Sequence, residues 1–142
     1  MKTILFACVV LINSIAFGQI NFRTGDAALE AELNAENEKA LTNLSTFKAN
    51  ISREYSIAAP KVDGFLKIMK PAELLLAFRI SKITLKPIET VVKSYEVNKT
   101  KGWGVIAKEM GIKPGSPEFH ALKGKSKSTG KPSYCCDWRN WY

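Results

Sequence analysis

The chain is poor in the residues from which most catalytic and metal centres are built. Its 142 residues include one histidine, His120, and three cysteines. A single imidazole leaves little room for a multi-histidine metal site, and neither a nucleophile elbow nor a Cys-His family signature is present. A Gly-rich phosphate-binding loop is also missing. We therefore expect a protein that is not an enzyme and that has no catalytic residue, metal or cofactor.

Long apolar runs are scarce as well, and the only one lies at the N terminus. Residues 1–18 begin with Lys2, continue through an apolar stretch over 3–17, and place small residues where signal peptidase reads them. This layout predicts a secretory signal peptide that is cleaved before Gln19. The run is shorter than the roughly 20 apolar residues of a membrane span. We expect an exported protein, periplasmic, cell-surface or secreted, with no transmembrane span in its mature chain.

Acidic residues are few in the second half of the chain. The formal charge is +8 overall. Residues 19–60 carry four basic and six acidic side chains, whereas residues 61–142 carry 16 basic and seven acidic ones. Such an excess favours association with anionic partners, although it identifies no activity.

The alternation of apolar and polar residues that marks a strand is absent, and apolar residues recur instead at helical spacing. We predict an all-α fold. Asp26 suits the N-cap of one long amphipathic helix within residues 19–59. We interpret its apolar stripe as packing against the rest of the domain, with a coiled-coil or partner helix as the alternative. The stripe contains Leu29, Leu33, Ala40, Leu44, Phe47, Ile51 and Tyr55.

Prolines divide residues 60–123 into a compact bundle of four to five short helices. Pro71, Pro87 and Pro117 each stand where a helix is predicted to begin. The helix over residues 71–83 is apolar on nearly every side, which is typical of a central core helix.

The second half of this bundle has the pattern of a helix-turn-helix motif. In DNA-binding proteins the helix after the turn enters the major groove. Here that helix offers Glu118, His120 and Lys123, and no Arg, Asn or Gln to read base edges. We interpret the motif as a packing solution and keep nucleic-acid binding as the alternative function. The residues of the pattern are Trp103, Ile106, Ala107, Met110, Gly111 and Phe119.

Residues 102–123, with the sequence GWGVIAKEMGIKPGSPEFHALK, resemble a motif found in small exported bacterial proteins. The motif is specific as a string and covers about a sixth of the chain. The resemblance implies an extracytoplasmic helical module, and it implies no activity, cofactor or catalytic residue.

The tail, residues 124–142, passes from a basic linker rich in Gly, Ser and Pro to the aromatic run YCCDWRNWY. Such a linker is expected to be flexible. Exposed Trp and Tyr suit a partner's groove, a membrane interface or a sugar. Alternatively, the tail covers the domain's own apolar surface. The candidate partner-binding residues are Lys123, Lys125, Lys127, Lys131, Tyr134, Trp138, Arg139, Trp141 and Tyr142.

Cys135 and Cys136 are adjacent in this tail. Exported cysteines usually form disulfides, but a disulfide normally separates Cα atoms by about 4.4–6.8 Å, which neighbouring residues reach only with distortion. A strained vicinal disulfide, a disulfide-linked dimer and soft-metal capture all remain open.

Together these features favour an exported, non-enzymatic binding or structural module. Its basic half would meet an anionic envelope component or a protein partner, and its aromatic tail would dock. A nucleic-acid-binding helix-turn-helix protein is the alternative.

Overall fold

The structure, a computed structural model, describes residues 18–123, and over this range it contains seven α-helices and no strand. The all-α prediction is confirmed there. The predicted signal peptide up to residue 17 and the tail from residue 124 lie outside the described residues. In chain order the helices are α1 Ala27–Thr42, α2 Leu44–Glu54, α3 Ala59–Leu66, α4 Pro71–Thr84, α5 Ile88–Asn98, α6 Trp103–Glu109 and α7 Pro117–Leu122.

The N-terminal helix that was predicted as one element is two helices, which meet at Asn43. Asp26 caps α1 as predicted, because its carboxylate accepts the N–H of Leu29 at 2.9 Å. The Asn43 side chain then accepts the N–H of Thr46 at 3.1 Å and so caps α2. Asparagine is a strong N-cap residue because its side chain competes with helical hydrogen bonding. The break interrupts the apolar stripe and leaves Leu44 exposed.

Helix α4 is the centre of the core, as its apolar composition predicted. It packs against α1, α3, α5 and α7. Burial of apolar surface contributes roughly 25 cal/mol per Å², so this helix supplies a large share of the driving force for folding. Its buried side chains include Ala72, Leu74, Leu76, Ala77, Phe78 and Ile80.

The segment before α1 runs back along that helix and closes one end of the core. The backbone of Ile20 bonds twice to the side-chain amide of Asn34, at 2.8 and 3.0 Å. Phe22 is buried, and its carbonyl accepts the N–H of Trp103 at 3.0 Å. The segment therefore connects α1 to the beginning of α6.

The predicted turns of the second half are present. Gly111 has φ +100°, and the N–H of Ile112 donates to the carbonyl of Ala107 at 2.8 Å, as in a glycine-terminated helix. The hydroxyl of Ser116 accepts the N–H of Phe119 at 3.2 Å and caps α7. Between α2 and residue 123 the structure has five helices, within the predicted four to five.

Candidate functional site

The clearest candidate for a binding site is an open groove of about 540 Å³. It lies between the corner of α1 and α2, the turn from α3 to α4, and the C-terminal half of α5. Small-molecule sites usually have volumes of about 300–1,000 Å³. We call it the lysine groove, and its lining includes Leu41, Leu44, Ile68, Lys67, Lys70 and Lys99.

An unusual share of exposed apolar surface lies in this groove. Leu41 is 59% exposed, and Leu44 and Ile68 are each 38% exposed. They are three of the five exposed large hydrophobic side chains in the described part of the chain. Leu41 and Leu44 flank Asn43, so the break between the two helices places both at the corner. Single exposed leucines are ordinary, but a concave cluster of them indicates a contact surface.

Positive charge surrounds the same groove. Lys67, Lys70 and Lys99 form no ion pair with any carboxylate of the described residues. The Lys99 ammonium lies 5.7 Å from the centre of the Tyr95 ring. Glu73 is the one carboxylate in the described lining. The groove therefore presents three cations against one anion and suits a negatively charged group.

Glu73, which lines the lysine groove together with Tyr95, is the centre of a hydrogen-bonded cluster that extends to Trp103 behind the lining. Its carboxylate accepts the N–H of Lys70 at 2.9 Å, the hydroxyl of Tyr95 at 2.9 Å and the indole N–H of Trp103 at 3.5 Å. The rings of Tyr95 and Trp103 stack with their centres 5.2 Å apart. Glu73 thus ties α4 to α5 and α6.

The hydroxyl of Tyr95 keeps its proton in this cluster. Burial, followed by the charge of Glu73, raises the pKa of Tyr95 above its ordinary value. The Tyr95 hydroxyl therefore stays neutral and donates to Glu73. Among the described residues that line the groove there is no serine, cysteine or histidine. The arrangement can bind and orient a ligand by apolar contact and charge.

The residues of the helix-turn-helix pattern pack the interior. Phe119 is partly buried against the core, and Gly111 forms the turn. Helix α7 packs against α4 and leaves Glu118, His120 and Ala121 exposed. None of these three types is a common reader of guanine or adenine edges. The buried members of the pattern are Trp103, Ile106, Ala107 and Met110.

Among the predicted partner-binding residues, Lys123 is the one that the structure describes. Its ammonium forms an ion pair with Asp26 and lies 5.0 Å from the centre of the Phe119 ring. The charge of Lys123 is thus paired within the domain, where it joins the end of α7 to the beginning of α1. The other predicted residues lie outside the described range: Lys125, Lys127, Lys131, Tyr134, Cys135, Cys136, Trp138, Arg139, Trp141 and Tyr142.

Within residues 18–123, no group of three or more His, Cys, Asp or Glu side chains is placed to hold a metal ion. His120 is exposed, with its ring centre 6.3 Å from that of Phe119.

Sequence reasoning missed the lysine groove and the Glu73 cluster. Glu73 follows Lys70 by three residues, which is the position from which a capping-box glutamate returns to the N-cap backbone. That local signal was available. Tyr95 and Trp103, however, lie 22 and 30 residues further along the chain, and no local pattern connects them to Glu73.

The described helices are short, and most carry several charged residues. Within residues 18–123, no helix has both the length and the apolar character that crossing a membrane requires. Comparison of the chain with protein-family models, with curated proteins and with solved structures returned no match.

Proposed function

We propose that the protein is an exported, non-enzymatic binding module whose lysine groove takes an anionic amphiphile of the cell envelope. The ligand class is a lipid that carries a phosphate or carboxylate head group. One observation carries the proposal: three exposed hydrophobic side chains line the same groove as three lysines that have no carboxylate partner among residues 18–123. Export rests on the predicted signal peptide.

The two halves of such a ligand match the two kinds of surface. Each methylene of an acyl chain that leaves water contributes roughly 0.8 kcal/mol, and Leu41, Leu44 and Ile68 offer the apolar contact. Each lysine close to an anionic lipid surface contributes about 1 kcal/mol. The hydrogen bonds of Glu73 keep this part of the lining rigid, so little ordering is required on binding.

Vesicle cosedimentation tests the charged half of the proposal. The probe is the chain from Gln19 to Tyr142, with vesicles of phosphatidylglycerol or of phosphatidylcholine. We expect binding to the anionic vesicles, and a loss of about tenfold or more when Lys67, Lys70 and Lys99 are changed to Ser. The matched control changes Lys93, Lys108 and Lys113 to Ser, because these are exposed lysines outside the groove.

The control should lose clearly less affinity than the groove variant. Equal losses in the two triple variants would show that general attraction between the basic domain and the vesicle accounts for binding. The lysine groove would then not be the site.

A second pair of variants tests the apolar half. Changing Leu41 and Ile68 to Ser should weaken binding to the anionic vesicles by about tenfold. Changing Leu85 and Val97 to Ser should leave binding unchanged, because these side chains are 90% and 73% exposed and lie outside the groove. An equal effect of both pairs would argue against acyl contact in the groove.

Competition distinguishes the remaining partners. A single-stranded oligonucleotide and an acidic protein are added to vesicle-bound protein at the same salt concentration. We expect neither to displace the vesicles. Displacement by the oligonucleotide at a lower concentration than free anionic lipid would favour the nucleic-acid alternative, and displacement by the acidic protein would favour a protein partner.

A further inference from the structure

A second groove, of about 650 Å³, lies between α1, α2 and α4 beside the end of α7. We call it the acidic groove, and it shares no lining residue with the lysine groove. An inference about it is therefore independent of the proposed function. Its lining includes Glu32, Glu36, Glu54, Phe47, Tyr55 and Ala121.

The acidic groove has an apolar floor that remains partly open. Phe47, Tyr55, Leu75 and Ile83 all line it, and they are four of the nine partly buried hydrophobic residues packed against the described core. Tyr55 stacks on buried Phe78 with ring centres 4.5 Å apart and an angle of 21°. The aromatic side chains of an occupant can bind well to such a surface, because offset or edge-on ring contacts add to the burial of apolar area.

The charge of this groove has the opposite sign to that of the lysine groove. Three carboxylates line it, against two cations, Arg79 and Lys82. Glu32 pairs with Arg79 at 2.8 Å, and Glu36 pairs with Lys39, which lies outside the lining, at 2.9 Å. Glu54 forms no ion pair with any described cation. The Lys82 ammonium lies 5.9 Å from the centre of the Tyr55 ring. The lining therefore offers Glu54 to a basic group and the apolar floor to aromatic rings.

The chain itself contains a segment of that chemistry, and it begins beside the groove. Ala121 lines the acidic groove, and the described chain ends two residues later, at Lys123. Residues 124–142 carry four basic side chains and one acidic side chain, together with four aromatic rings. A Gly- and Ser-rich linker of ten residues has a mean span of about 17–19 Å. The linker therefore does not have to be stretched for the segment to reach a groove beside its point of attachment.

We propose that residues 124–142 dock in the acidic groove of their own chain. Trp138 and Trp141 lie against the floor formed by Phe47 and Tyr55, and the basic residues of the segment lie beside the carboxylates. Tethering raises the effective concentration of the segment to the millimolar range, so modest contacts are sufficient. An external basic peptide would have to displace it.

Paramagnetic relaxation in NMR tests this docking directly. The chain from Gln19 to Tyr142 carries a nitroxide on Cys136 in the Cys135→Ser variant. We expect selective broadening of the amides of Ile51, Tyr55 and Ala121, independent of protein concentration. Equally strong broadening at the lysine groove, or broadening spread evenly over the surface, would overturn the proposal.

A mixed sample separates the same chain from a second copy. Protein that is labelled with ¹⁵N but has no nitroxide is combined with nitroxide-labelled protein at natural isotope abundance. Same-chain docking predicts no selective broadening in this mixture. Selective broadening of the groove amides in this mixture would show that the tail of a second copy is the occupant. That result would overturn docking within one chain.

Charge variants test the recognition. Changing Glu36 and Glu54 to Lys should lower the docked-to-free ratio by about fivefold. Changing Glu38 and Glu96 to Lys, exposed carboxylates outside both grooves, introduces the same charge and should leave the ratio unchanged. A tail variant in which Lys125, Lys127 and Lys131 are Gln alters no described residue and should weaken docking similarly. If all three variants behave alike, charge does not direct the segment to this groove.

Discussion

Replacing Gly102 with alanine tests how closely the N-terminal segment contacts the loop before α6. Gly102 has φ +94°, in the left-handed region that only glycine adopts readily. A Cβ at this position would overlap the Cβ of Arg23 and lie 3.1 Å from the Arg23 carbonyl oxygen. The same loop is held by Trp103 and Gly104, whose N–H groups donate to the carbonyls of Phe22 and Arg23 at 3.0 and 2.9 Å.

Two costs add in the Gly102→Ala variant. A backbone at φ +94° and ψ 171° is essentially restricted to glycine and costs an alanine about 1–3 kcal/mol. Relief of the overlap requires residues 22–24 to move outward, which exposes part of Phe22, and full exposure of such a side chain costs about 1.5–3 kcal/mol. We therefore expect the free energy of unfolding to fall by about 3 kcal/mol, a large part of the total of about 5–15 kcal/mol for a domain.

Two other glycines separate these costs. Gly111 has φ +100° but no atom within 4 Å of an added Cβ, so Gly111→Ala should cost only the backbone term of about 1 kcal/mol. Gly64 lies within α3 with open space around it, so Gly64→Ala should stabilise the protein by about 0.5–1 kcal/mol. The three variants differ from the parent by the same single methyl group.

Urea unfolding followed by circular dichroism measures the three free energies. Adding Arg23→Gly to Gly102→Ala removes the overlapping Cβ and should recover about 1–2 kcal/mol relative to the sum of the single changes. The reasoning is refuted if Gly102→Ala costs no more than Gly111→Ala, or if the double variant shows no coupling. Either result would mean that the segment does not press on the loop.

Three further variants test individual contacts. The ion pair with Lys123, and then a backbone hydrogen bond, hold the pKa of Asp26 below its ordinary 3.8, so the stability it contributes is complete above that value and is lost as the pH falls through the lowered pKa. Asp26→Asn should therefore lower the melting temperature at pH 7 and flatten its decline below pH 4; an unchanged pH profile would contradict this. Asn43→Ala should cost about 1 kcal/mol in urea unfolding, because α2 loses its cap, and a neutral result would show that the corner does not depend on it. Tyr95→Phe should cost about 1 kcal/mol through the lost bond to Glu73, and a gain in stability would contradict that role.

The features that were predicted correctly depend on residues close together in the chain. Asp26 caps α1 through the N–H group three residues ahead, Pro117 begins α7, and Gly111 forms the turn after α6 through its own backbone freedom. Pro71 begins the central helix, whose apolar residues on all sides predicted its burial. Because each depends on a few neighbouring residues, local sequence was sufficient.

The features that were missed depend on competition or on distance. The spacing of apolar residues allows Asn43 to lie within one continuous helix. The helix breaks there because the Asn43 side chain accepts the N–H of Thr46 and caps α2. Asn37 is a buried polar residue, and its side chain accepts the N–H of Ala72 at 3.4 Å, from a residue 35 positions along the chain. The ion pair of Lys123 with Asp26, near the opposite end of the described chain, is likewise a contact that no local pattern indicates.

The sequence by itself determined the helical class, the beginnings of α1, α4, α5 and α7 and the concentration of positive charge in the second half, because spacing, capping and composition are local properties. Only the tertiary structure decided which lysines surround exposed leucines and which carboxylates surround an aromatic floor. These groupings form when α1, α2, α4 and α5 pack against one another. Packing brings together residues that are far apart in the chain, and it is directed by burial of the apolar core rather than by the charges that meet at its edges.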